Sequence, residues 1–144
     1  MIDEIRCDGV ILAIIVPADF DRAGIHFVTP PEFSQQLAYM RHPAGKRITP
    51  HVHNQLPREV IYTQEVLLIR RGRLRVDFYD TQRNYLHSRI LGAGDTILLA
   101  GGGHGFEALE DLEMIEIKQG PHAGEADKTR FAGIDSGEVR IIDV

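Results

Sequence analysis

The chain has 144 residues, enough to bury one substantial core and too few for two independent ones. Hydrophobic residues at 43% and charged residues at 26% are the balance of a folded globular protein, which excludes disorder for the bulk of the chain. The 16 Lys+Arg against 21 Asp+Glu leave a net charge of −5, so the electrostatic footprint of a general nucleic-acid binder is missing and no nucleic-acid partner is expected.

Cys7 is the only cysteine, so no internal disulfide ties the fold to an oxidising compartment. Asp3 and Glu4 occupy the place of a positively charged leader region. A cytoplasmic location is the expectation. The apolar run from Val10 to Val16 is far shorter than the roughly 20 residues that cross a bilayer, and its β-branched content predicts a buried strand instead.

Beyond Val16, turn residues divide the chain into short pieces. Pro17 to Asp21 and Pro30-Pro31 interrupt it, and a strand is expected within Gln35 to Arg41, ahead of the loop His42-Pro43-Ala44-Gly45. Arg47 to His53 comes next, then a loop of about a dozen residues containing Pro57. Glu65 to Arg70 reads as a strand, Arg71-Gly72 as a hairpin turn, and Arg73 to Tyr79 as the return strand. In that return strand Leu74, Val76 and Phe78 take one face, and Arg73, Arg75 and Asp77 the other. The basic run Arg70-Arg71-Gly72-Arg73-Leu74-Arg75 is therefore expected to be the solvated face of a hairpin. Further strands are predicted at Tyr85 to Leu91, Thr96 to Leu99 and Met114 to Lys118, with an edge strand within Val139 to Val144. His26, His42, His87 and His122 fall in turns or on exposed strand faces and read as solvated. No apolar period of 3.6 residues is sustained, so the chain reads as all-β, a barrel or sandwich forming one domain over residues 1–144.

His51-Val52-His53 carries the strongest chemical signal. On a strand, residues two apart share a face, so both imidazoles can reach one ion. Gly45 precedes the pair with five residues between, Glu65 follows it after eleven, and Gly72 follows Glu65 after six. A second turn, Gly94-Asp95, leads through an apolar strand to Gly102 and His104.

This order resembles the two motifs of the cupin superfamily, over roughly residues 35 to 119. The first motif runs Gly, five residues, His-x-His, a short gap, Glu, six residues, Gly. The chain departs from it in the eleven-residue gap, where three or four residues are usual. In the second motif Ala100 stands where Pro is common, the His comes one residue early and the final Asn is missing. The resemblance implies a double-stranded β-helix (a jelly-roll barrel) whose mouth is lined by His51, His53, Glu65 and His104. These four would hold one divalent metal. Glu59, six residues after His53, is the competing carboxylate, and Glu65 is favoured because Gly72 and an apolar strand follow it.

Three imidazoles and one carboxylate suit Fe, Mn, Ni, Co, Cu or Zn better than Ca or Mg. In an octahedral ion they leave two positions for water, O₂ or a chelating substrate. The expected function is an enzyme acting on a small polar substrate, as a metal-dependent isomerase, epimerase or lyase, or as a dioxygenase. Residues 63–120 also look similar to small cupins of bacterial surface-sugar biosynthesis, which points to a carbohydrate or nucleotide-sugar. Glu107, Glu59 and Tyr39 are candidate bases, and Gln36, Arg41 and Lys118 candidate polar contacts. The alternatives are a non-catalytic metal- or sugar-binding module and a metal-independent sugar isomerase in which His51 or His53 is the acid–base group. Apolar runs near both ends of the chain suggest strands that pair across a homodimer.

Overall fold

Short apolar stretches between turn residues become ten strands in the computed structural model, which describes residues 1–143. They are β1 (Asp3–Cys7), β2 (Val10–Val16), β3 (Gly24–Phe27), β4 (Ala38–Arg41), β5 (Glu65–Arg71), β6 (Leu74–Tyr79), β7 (Tyr85–Leu91), β8 (Thr96–Leu99), β9 (Gly103–Ala108) and β10 (Glu113–Lys118). Two short 3₁₀ turns, Gly124–Asp127 and Ser136–Glu138, interrupt the tail. Among the described residues, no helix is long and apolar enough to cross a membrane.

All pairings between these strands are antiparallel. One sheet has the order β1-β2-β8-β5-β10, a second the order β7-β6-β9, and β3 and β4 form a separate two-stranded ribbon. None of the three closes into a barrel.

The two larger sheets share one core. Leu12, Ala13 and Ile15 of β2, Leu67 and Ile69 of β5, and Ile97 and Leu99 of β8 pack with Leu74, Val76 and Phe78 of β6 and with Leu91 of β7. Alternation explains which residues take part, since side chains two apart share a face. Ile14, Val66 and Leu98, on the other face of the five-stranded sheet, are buried as well. That is why β2 reads as a continuous apolar run rather than an alternating one.

The hairpin from β5 to β6 joins the sheets through Gly72, whose φ is +87°. A Cβ there would stand 2.1 Å from the Asp111 carbonyl oxygen, so the turn needs glycine on two counts. Arg70, Arg71 and Arg73 are exposed and face Glu113 or Glu110, as a solvated hairpin face should. Arg75 is not. Its side chain is 13% exposed and binds Asp77 through Nε at 2.9 Å. Asp77 also accepts from the Ser88 hydroxyl, and Tyr85 Oη lies 2.8 Å from Ser88 Oγ.

The C-terminal tail covers this polar cluster. Ser88 N–H donates to the Arg140 carbonyl at 2.8 Å, and Ile142 N–H donates to the Ser88 carbonyl at 2.9 Å. The expected last edge strand is thus reduced to an isolated parallel bridge between Ile141 and Ser88, and Val144 lies outside the described residues.

Candidate functional site

β5 and β9 bring two of the predicted site residues together. Glu65 opens β5 and lies in register with Leu67 and Ile69, whose side chains enter the shared core. His104 pairs across the other sheet with Phe78, so it too faces inward. Its Nε2 comes to 3.1 Å from Glu65 Oε1, where the ring N–H donates to the carboxylate. The side chains are only 27% and 17% exposed, so the pair sits at the rim of the core and remains accessible.

The bond from His104 holds the Glu65 carboxyl below its usual range, against the upward push of burial. The charge of Lys118 lowers it further, and Glu116 stands beside that lysine. Both neighbours come from β10, where Glu116 pairs with Leu67 and Lys118 with Glu65, on the same inward face. Lys118 Nζ lies 3.6 Å from Glu116 Oε1. Lys118 is legible in the sequence as a polar contact, whereas Glu116 looks like any charged residue of a terminal strand. Gly102 turns the chain into β9 with a φ of +63°, and a Cβ there would collide with the Tyr79 carbonyl oxygen at 2.3 Å.

His87 is a further inward residue. It pairs across β6 with Phe78, so His87, Phe78 and His104 form a row on the inner face of the three-stranded sheet. It is not solvated as its sequence context suggests: its Nδ1 is buried without a hydrogen-bond partner, as is Nε2 of His42. Burial, with the Arg89 charge nearby, pushes the His87 pKa down.

His51 and His53 stand apart from this pair. They lie in a segment without regular structure between β4 and β5, in which residues 43–63 are all exposed. Their rings are 5.3 Å apart, and His51 Nδ1 is 2.9 Å from the Thr49 carbonyl oxygen. Among the described residues, no three His, Cys, Asp or Glu side chains gather in the way that holds an ion. Glu59 is exposed in the same segment, beside a shallow cleft lined by Phe33, Gln36 and Arg58.

The remaining candidates serve other contacts. Glu107 pairs with Arg75 on the outer face of its sheet, and its Oε2 lies 2.5 Å from Arg75 Nη1. Tyr39 packs edge-on against Phe20 at 4.8 Å. Arg41 binds Asp21 at 3.0 Å, and Gln36 donates to the carbonyl oxygens of Pro30 and Phe33.

The Glu65–His104 spacing fits a shared ion. Ligands about 2.1 Å from a transition metal and at right angles to one another stand about 3 Å apart. Comparison with protein-family models, with curated proteins and with solved structures finds no match for the chain.

Proposed function

We propose that the chain is a cupin-type metalloprotein whose Glu65 and His104 supply two ligands to one divalent transition metal, with His51 and His53 supplying the other two. The observation that carries this reading is the 3.1 Å approach of Glu65 Oε1 to His104 Nε2 across two sheets. The outer edge of β9 bears on the rest of the set, because β9 pairs with β6 on one side only. A segment carrying His-x-His, added there as a strand, extends the three-stranded sheet and puts both imidazoles on one face, which in one of its two registers is the His104 face. A metal held there supplies a Lewis acid with open positions for water, O₂ or a chelating substrate.

The neighbouring residues suit a small polar substrate, carbohydrate-like in its hydroxyls. Lys118 offers a cation and Glu116 an acceptor at the rim, beside the apolar floor of Leu67 and Phe78. The test is elemental analysis of protein purified without chelator or metal-affinity resin, for wild type, His51→Ala, Glu65→Gln and His104→Ala. Near-stoichiometric Fe, Mn, Ni, Co, Cu or Zn that falls in all three variants is the expected result. Wild type that stays metal-free after reconstitution sinks the reading. The same 3.1 Å contact then favours a metal-independent isomerase, in which Glu65 orients His104 as the acid–base group.

A further inference from the structure

The chain leaves β10 at Lys118, which stands opposite Glu65 in register, and then crosses the end of the molecule where β5 and β9 both begin. It is tied there at three points. Gln119 Oε1 accepts from Gln64 N–H at 2.8 Å. Asp127 Oδ2 accepts from the Thr63 hydroxyl at 3.1 Å. Phe131 meets the Tyr79 ring edge-on at 5.0 Å, with the Arg83 guanidinium 5.7 Å from its own ring centroid. Just past that ring, Ile134 N–H donates to Tyr79 Oη at 2.8 Å.

These ties fall on the two strand starts that carry the candidate pair. Thr63 and Gln64 immediately precede Glu65, and Gly103, which pairs with Tyr79 across β6, immediately precedes His104. Gly103 makes room for the tail, because a Cβ on it would stand 2.8 Å from Phe131 Cζ. Phe131 and Ile134 are half-buried, whereas residues 125–130, which link the tie at Thr63 to the tie at Gly103, are all exposed.

We infer that the tail is a clasp for the Glu65–His104 pair, with Phe131 as a positioning residue that fixes the start of β9 and so holds His104 Nε2 on Glu65. Detaching the ring frees that strand start and parts the pair. The physical reason is local. β9 opens on two glycines, Gly102 and Gly103, which have the most backbone freedom to lose, and it is an edge strand paired with β6 alone. A strand end of that kind frays unless a side chain packs on it. The inference rests on Glu65 and His104 as the working centre proposed above, and not on a metal between them.

The test is NMR spectroscopy of the whole chain, treated with EDTA and held at neutral pH and low temperature. One readout is the His104 Nε2–H proton, shifted downfield by its bond to the carboxylate and assigned by its loss in Glu65→Gln. The other is hydrogen exchange of the β9 backbone amides. In Phe131→Ala both should exchange with solvent about tenfold faster than in wild type, the scale of one lost aromatic pair. Amides of β2 and β8 should keep their wild-type rates, showing that the fold is intact. Phe131→Leu, which keeps an apolar side chain against Gly103, should recover most of the protection. Arg140→Ala loosens the far end of the tail, where the guanidinium lies 5.4 Å from the Tyr85 ring centroid, and should leave the His104 proton as in wild type.

A His104 proton equally protected in wild type and Phe131→Ala overturns the clasp while the pair itself stands. Equal acceleration by Arg140→Ala and Phe131→Ala also overturns it, since the tail then steadies the fold as a whole. A wild type without the downfield proton shows the pair open in solution, and overturns both the clasp and the site on which it rests.

Discussion

Glu65 and His104 are 39 positions apart in sequence and sit on different sheets, yet their polar atoms meet at 3.1 Å at the rim of the shared core. Through this contact the five-stranded and three-stranded sheets share a titratable hydrogen bond at the candidate site. It has a pH signature in metal-free protein. The Glu65 carboxyl is lowered from its ordinary 4.5, first by the bond from His104. The folded state therefore stays ionised at pH values where the unfolded chain already takes up the proton. The stabilisation is complete above about 4.5 and is lost as pH falls through the depressed value. In EDTA-treated protein, Glu65→Gln should reduce this acid-side loss and cost about 1.5–3 kcal/mol at neutral pH, the range for a hydrogen bond to a charged group. Chemical denaturation between pH 3 and pH 7 measures both. Parallel wild-type and variant curves would show that the bond adds nothing to folding.

Asp77 should matter more to stability than any of the exposed acids. It is 6% exposed and holds Arg75 and Ser88 at once, with the Arg75 side chain itself 13% exposed. Asp77→Ala leaves that guanidinium without its main partner in a largely dry environment, which typically costs about 3–5 kcal/mol. Ser88→Ala leaves Arg75 and Asp77 paired and should cost about 1 kcal/mol. Urea titration of the two variants separates them. Equal losses would mean that the tail over Ser88, rather than the ion pair, carries the stability.

Much of the strand pattern is readable from residues alone because burial there is one-sided. Leu74, Val76 and Phe78 alternate with charged residues, and the structure buries all three. β1 escapes such a reading, because Ile5 is its only fully buried residue and charges surround it. β9 is diluted by Gly103 and Gly105, and β3 is four residues with none fully buried. Arg75 defeats charge patterning for a different reason. Its burial follows from the Asp77 carboxylate on its own strand and from the tail folded over Tyr85, and neither is local in the sequence. At the candidate site, the spacing from Glu65 to Gly72 survives as a strand and its hairpin turn. The spacing from His51 to His53 cannot do the same, because a strand needs a partner edge and sequence does not say which edge supplies it.

The hairpin between β5 and β6 offers a test of backbone geometry. At Gly72 the φ of +87° and the 2.1 Å approach to the Asp111 carbonyl oxygen both exclude a side chain. Gly72→Ala must either shift the β9–β10 turn or flatten the hairpin, and should cost about 2–4 kcal/mol, more than the usual penalty for an L-residue at positive φ. Gly137→Ala is the control, since its Cβ would meet nothing within 4 Å and its φ is not positive. A melting-temperature drop confined to the Gly72 variant is the expected result. A tolerated Gly72→Ala would show that the turn at Asp111 yields easily.

The buried imidazole beside Phe78 opens a second pH window. The ring of His87 meets that of Phe78 edge-on at 5.7 Å, and its Nδ1 has no partner among the described residues. Burial first, and then the Arg89 charge, lower its pKa from the ordinary 6.5. The neutral ring is thus the form that the fold accommodates. As pH falls below about 6.5 the unfolded chain gains a proton that the folded chain resists, so stability drops through the window just below that value. This window lies above the one in which Glu65 titrates, so the two effects are separable on one pH profile. His87→Phe removes both the titration and the unsatisfied nitrogen, and should leave stability at pH 7.5 within about 1 kcal/mol of wild type. Between pH 5 and pH 6.5 its denaturation midpoint should hold level while that of wild type declines. A wild-type decline that persists unchanged in the variant would show that His87 is not the source of the sensitivity.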